Sequence, residues 1–303
     1  MALIRYCNIV GGNFGDDINL QLLPRLFPDL SELTGQVLFY GVGTLLDGRH
    51  DAGVKKVVLG TGLGSHLTRM PDPNWDFRWV RGPHTAKEFG LPLELALGDS
   101  AILWPELLRG HDDAGPAGLI PHHVTWDSFD WTSVAHQAGM KIINPRQTPG
   151  AVIDQMRGCS RVLSESLHGA ICADAMGIPW AACVLAHRFN EFKWRDWLAT
   201  VNRPHEPLVM QLPLVRSIAR TKSMANRLAR WVQYKRRTRR PALRPVAAAT
   251  ARDVARVAAA LRAYAGCADN FRCSDPAHVA RQKERMLSRC DEFARDYKLL
   301  FTP

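Results

Sequence analysis

Several residues in this chain have the types and spacing for acid–base chemistry on an anionic substrate. Residues 162–180 read V-L-S-E-S-L-H-G-A-I-C-A-D-A-M-G-I-P-W, an apolar run that ends in Ser-Glu-Ser and turns through His168 and Gly169 into a helix-length segment. A helix starting at a strand end directs unpaired N–H groups and the positive end of its dipole toward the ligand crevice of an open α/β sheet. An anion suits that place, and His168 stands there to move a proton. Ser164 and Ser166 are equally good helix caps, so this fragment alone leaves a capping role open.

The same layout of strand, polar tip and helix recurs along the chain. G-G-N-F-G-D-D-I-N (11–19) follows an apolar run and places Asn13, Asp16 and Asp17 at a helix start. Its glycines let backbone approach a ligand closely, but G-x-G-x-x-G is absent and acids there repel a phosphate. They fit sugar hydroxyls or a general base, with first-turn capping as the plain alternative. W-V-R-G-P-H-T-A (79–86) delivers Arg81 at a strand tip, where a planar fork suits a carboxylate or phosphate. L-G-D-S-A-I-L (97–103) leaves Asp99 at another tip, and G-L-I-P-H-H (118–123) does so with His122 and His123.

The elements that position these residues follow from hydrophobic periodicity. Strands are predicted at 3–10, 36–41, 56–60, 77–80 and 95–98, with helices at 17–26, 43–47 and 84–89. A polar, Gly-rich stretch at 109–118 reads as a linker. Beyond it come strands at 119–121, 141–143, 161–163 and 180–185, and helices at 131–138, 151–158, 168–176 and 191–200. Past Pro204 the signal is helical only, including 253–264 and 277–297. Such alternation means an α/β protein with two Rossmann-like parallel-sheet domains, 1–112 and 113–205, and a helical extension over 206–303. The 303 residues, 46% of them hydrophobic, suffice for two such cores.

Composition narrows the setting. The seven cysteines are scattered without a C-x-x-C pair, which points to reduced thiols and no zinc site. No stretch approaches the roughly 20 apolar residues of a membrane span and no signal-peptide pattern opens the chain, so a cytoplasmic location is expected. Charge is uneven: residues 216–244 hold eleven of the 39 basic residues and no acid, and so account for the whole net charge of +10. On a helical wheel Leu214, Ile218, Ala225, Leu228 and Val232 share one face opposite Arg216, Arg220, Arg227 and Arg230. Residues 214–244 therefore read as a basic amphipathic helix for an anionic membrane surface, with a plain solvated face as the alternative. Few aromatics and no reading motif accompany it, which argues against nucleic acid.

In order, G-N-F-G-D-D-I-N, V-R-G-P-x-T-A, L-G-D-S-A-I-L, I-P-H-H, S-E-S-L-H-G-A-I-x-A-D-A-M-G-I-P and R-F-N-E-F-K-W-R-D resemble the polysaccharide pyruvyltransferases over roughly residues 9–197. The resemblance implies a GT-B-like fold, two Rossmann-like domains facing a cleft. It also implies transfer of pyruvate from phosphoenolpyruvate onto two hydroxyls of a sugar in a lipid-linked repeat unit, as a cyclic ketal. No cofactor is expected beyond that donor, and no metal ligands are assigned. Catalysis would fall to His168 as general acid or as a donor to the leaving phosphate, with Asp16, Asp17 or Asp99 taking the hydroxyl proton or holding the sugar, and His122 or His123 as a second acid–base group. The donor's two anionic groups would be bound by Arg81, Arg188, Lys193 and the helix start at Ser164 and Ser166, and the sugar by Asn13 and Asp17. A lipid-linked acceptor would draw the basic segment to the inner face of the cell membrane. One departure stands out, since many members carry Arg where this chain has Ser166. Two rival functions are a nucleotide-sugar glycosyltransferase of the same fold and a non-catalytic subunit of an exopolysaccharide assembly complex.

Overall fold

In the computed structural model, the described residues are 4–7, 9, 11–46, 53–65, 73–108, 110–185, 189–210 and 250–303. Two parallel sheets with covering helices make up the architecture. The first is ordered β1 (Ile4–Arg5), β2 (Val37–Tyr40), β3 (Lys55–Leu59) and β4 (Trp75–Trp79). The Val-Leu-Phe-Tyr of β2 is buried at every position, as expected where helices cover both faces of a parallel sheet. Helices α1 (Phe14–Asp17) and α2 (Asn19–Leu26) link β1 to β2, and α3 (Pro83–Glu88) follows β4 with proline in its first turn.

The second sheet contains β5 (Ala117–Ile120), β6 (Lys141–Ile142), β7 (Arg161–Ser164), β8 (Trp180–Val184) and β9 (Leu208–Val209) in the order β6-β5-β7-β8-β9. Its helices are α4 (Trp131–Ala138), α5 (Pro149–Arg157), α6 (Leu167–Ala175) and α7 (Glu191–Leu198). From β5 the chain crosses to β6 on one side and then returns to β7 on the other. The loops leaving β5 and β7 therefore diverge, and the crevice between them is a topological switch point, where such sheets bind ligands.

Two further helices, α8 (Ala251–Gly266) and α9 (Pro276–Tyr297), complete the described chain. Helix α8 packs on α4 over the second sheet, whereas α9 returns to the first. There Phe293 meets Phe27 and Phe39 edge-on at ring distances of 5.0 and 5.7 Å, and Thr302 N–H donates to Leu26 C=O. One apolar core contains Phe39 and Trp79 from the first sheet together with Ile120 and Val162 from the second, so the cleft sits over continuous packing.

Four expectations are corrected. Residues 95–98 form no strand: a 3-10 helix (Leu93–Leu95) precedes a single bridge from Ala96 to Val80, and Gly98, at φ +119°, turns the chain away. Over 43–46, the described part of the helix expected at 43–47, no helix forms, because Gly43 has φ +120° and its carbonyl is taken by Thr61 Oγ1 and Arg81. The linker at 109–118 ends early, its last two residues being in β5, and past Pro204 the short β9 extends the second sheet. The basic amphipathic segment 214–244 lies outside the described residues. No helix among them is long and apolar enough to cross a membrane.

Candidate active site

The Ser-Glu-Ser turn carries the chain from β7 into α6. Ser164 Oγ donates to the Ser166 carbonyl at 2.7 Å, and Ser166 Oγ accepts the Gly169 N–H at 3.4 Å. Ser164 is fully buried beneath Gly169, where a Cβ would overlap its hydroxyl, so it shapes the turn and does not face a ligand. Ser166 caps α6 and, with Leu167 and His168, lines a cleft of about 340 Å³ at the switch point. The first eight residues of α6 are buried, which matches its apolar composition all round.

His168 is held from two sides. Its Nε2 lies 3.6 Å from Oδ2 of Asp99, a distance for charge attraction and too long for a hydrogen bond. Asp99 is fully buried outside the cleft lining; its Oδ1 accepts the Ala101 N–H at 3.0 Å, and Oδ2 has no hydrogen-bond partner among the described residues. Asp99 thus sits behind His168 and outside the cleft. From the other side the imidazole rests on Gly15 of α1, where any Cβ would overlap the ring. The glycine in G-N-F-G-D-D is therefore required for contact between the two halves.

Helix α1 brings Asp16 into the same cleft. Asn13 Nδ2 donates to Asp16 Oδ2 at 2.5 Å, and Gly43 leaves room for the other carboxylate oxygen. Burial raises the Asp16 carboxyl above its ordinary value, against the opposing pull of His168, Lys193 and the Asn13 bond. Asp17 is outside the cleft lining; its Oδ2 accepts the Asn13 N–H at 3.4 Å, the capping alternative.

His122 and His123 form the opposite wall, their rings 4.2 Å apart. Burial, with Lys193 close by, lowers His122 well below the usual histidine range and His123 to about 4. His122 Nδ1 accepts the Val124 N–H at 3.3 Å, which leaves Nε2 to carry the ring proton. Both rings are neutral near pH 7 and suit hydrogen bonding to hydroxyls better than proton donation. Lys193, in the first turn of α7, lines the cleft together with the stacked Phe189 and Trp194 rings. Burial first and then the Arg81 guanidinium lower its ammonium to about 8, while Asp16 and Glu165 pull it upward.

Arg81 does not reach the cleft. It is fully buried and donates to Asp196 Oδ2 at 3.2 Å, Thr44 Oγ1 at 2.9 Å, Gly43 C=O at 3.3 Å and Leu63 C=O at 2.5 Å. Asp196 of α7 also accepts the Thr85 N–H at 2.9 Å and hydroxyl at 2.7 Å. These bonds fasten the second half onto the first, so Arg81 is committed to contacts within the fold and does not face the cleft. Arg188 lies outside the described residues.

Sequence reasoning overlooked two acids, Glu165 and Asp196. Glu165 lines the cleft while almost fully buried, and the one local signal for it was a carboxylate between two serines at the end of an apolar run. Among the described residues no group of three or more His, Cys, Asp or Glu stands close enough to hold a metal ion.

The family model described as polysaccharide pyruvyl transferase matches residues 6–187. That span includes Asn13, Asp16, Asp99, Glu165 and His168 and ends before Lys193. Succinoglycan biosynthesis protein ExoV of Rhizobium meliloti (strain 1021) is 36% identical over 201 residues, 65% of this chain. The match spans 64% of the length of that curated relative. No solved structure matches the chain.

Proposed function

The chain belongs to the polysaccharide pyruvyl transferase family, and from that premise we propose that it moves pyruvate from phosphoenolpyruvate onto two hydroxyls of an exopolysaccharide sugar as a cyclic ketal. The observation that carries this reading is the cleft at the switch point, where His168, Asp16 and Lys193 meet. A proton donor, a base and a cation are the groups the reaction needs. In this reading the two sheets are the facing halves of a GT-B-like enzyme, 1–112 and 113–205.

Protonated His168 gives its proton to the donor's methylene carbon, which becomes a methyl group, and the adjacent carbon becomes oxocarbenium-like. The first sugar oxygen bonds to that carbon while Asp16 takes its proton. The carbon–oxygen bond to phosphate then breaks, and phosphate departs with the proton that Asp16 had taken. The second hydroxyl closes the ring, and its proton restores His168. One donor and one diol thus give one ketal and one inorganic phosphate. Lys193 and the N-terminus of α6 hold the donor's anionic groups, and neutral His122 and His123 bind hydroxyls.

Incubating the full chain with phosphoenolpyruvate and a panel of glycosides is the direct test. Phosphate release should accompany a product heavier by one pyruvate less one water. Turnover with a nucleotide sugar and none with phosphoenolpyruvate would establish the rival glycosyltransferase function instead.

Lys193 makes a pH prediction. With its ammonium titrating at about 8, KM for phosphoenolpyruvate should be flat below that pH. Above it KM should rise about tenfold per unit as the charge is lost. Lys193→Ala should raise KM by about 10–100-fold, the usual value of a charge-assisted hydrogen bond, and flatten the profile. A KM in that variant equal to the wild-type value at every pH from 6 to 9 would remove Lys193 from donor binding.

The acceptor we propose is a lipid-linked oligosaccharide, reached from the inner face of the membrane through the basic segment. Attraction of about 1 kcal/mol per basic residue near an anionic surface would hold the protein there. Deleting residues 216–244 should release it from phosphatidylserine-containing vesicles and leave turnover on a soluble acceptor. Undiminished vesicle binding would refute that role for the segment.

A further inference from the structure

Glu165 has no part in the chemistry above, yet its bonds organise the cleft. Although 2% exposed, it lines the cavity. Its Oε2 accepts the His122 N–H at 3.0 Å and its Oε1 accepts the Leu185 N–H at 2.9 Å. Its own N–H donates to Ile120 C=O at 2.9 Å. Ile120 and His122 belong to the tip of β5, Leu185 follows β8, and Glu165 continues β7 between them. One carboxylate thereby spans the carboxyl ends of three adjacent strands. It takes up tip N–H groups at the point where the β-ladder runs out.

The same carboxylate carries its charge into the cleft near Lys193. Around that ammonium stand Arg81 from the tip of β4, Asp16 from α1, His122 and His123 from the tip of β5, His168 from α6 and Glu165. Arg81 opposes the positive charge, Asp16 and Glu165 favour it, and the two wall histidines are neutral. Amide substitution at Glu165 removes one favourable charge and one of its two acceptors. Glu165→Asp keeps the charge and shortens the reach.

We infer that Glu165 is a positioning residue for donor binding: it holds the β5 and β8 tips around the cleft, and its charge keeps the Lys193 ammonium ready for an anionic donor. Only the identity of that donor rests on the proposed function. Competitive labelling of Lys193 with an amine-reactive reagent, located by mass spectrometry, reads its protonation without turnover. The wild-type midpoint should fall at about 8. Glu165→Gln should lower it by about half a pH unit or more, and the alkaline rise of KM for phosphoenolpyruvate should move with it. Glu165→Asp should leave the midpoint in place and raise KM for phosphoenolpyruvate. A wild-type midpoint and KM profile in Glu165→Gln would overturn the inference. Should that variant fail to fold by circular dichroism, Glu165→Asp decides: a raised KM for phosphoenolpyruvate with an unmoved midpoint supports the assignment, and a wild-type KM overturns it. If the wild-type protein releases no phosphate from phosphoenolpyruvate, the proposed function fails, and the labelling midpoints still decide the role of Glu165.

Discussion

His168→Gln is expected to lower kcat for phosphate release by about 10²–10⁴-fold, the usual contribution of a positioned general acid. Its effect on KM for phosphoenolpyruvate should be small, since Lys193 and the α6 N-terminus remain. Glutamine keeps a polar side chain against Gly15 and Asp99 but cannot deliver a proton at neutral pH. Asp99→Asn should lower kcat in the same direction and by less. It retains an oxygen for the Ala101 N–H and removes only the charge 3.6 Å from Nε2. Steady-state kinetics with both variants, with near-ultraviolet circular dichroism to check folding, provide the measurement. A His168→Gln enzyme with kcat within about threefold of wild type would show that another group supplies the proton.

Asp196→Ala should give the largest loss of stability. Removing one partner of a buried ion pair leaves the other charged and desolvated, which costs about 3–5 kcal/mol. In this protein the orphan would be Arg81, fully buried, and the Thr85 N–H and hydroxyl would lose their acceptor as well. Urea denaturation followed by tryptophan fluorescence and circular dichroism would show the drop in midpoint. Replacing both partners, Arg81→Met with Asp196→Leu, should cost less than the two single changes together, because no charge is then stranded. Additive losses in the double variant would mean that the pair is not what docks α7 onto the first half.

Local pattern carried much of this protein. The strand–tip–helix layout placed His168, Asp16 and Asn13 at strand or helix ends, the family resemblance added Lys193, and all four line one cleft. Period and caps marked α4 at 131–138 to the residue. Elements were misplaced where a long-range bond overrides propensity. At 43–47 the chain has apolar residues enough for a helix, yet the Gly43 carbonyl is held by Thr61 and Arg81, 18 and 38 residues away.

Side-chain direction was less legible than side-chain type. Arg81 at a strand tip looks like an anion clamp until Asp196, 115 residues later, takes its guanidinium inward. Ser164 looks like a ligand until Gly169 covers it. Glu165 looks like a solvated acid until two strand tips donate to it. By itself, the sequence determined the α/β class with parallel sheets, the family and the residue types at the strand tips, because these depend on periodicity and motif order within short windows. Tertiary structure alone decided which tip residues face the cleft. That depends on the β6-β5-β7 strand order and on bonds between residues a hundred or more positions apart, and local spacing contains neither.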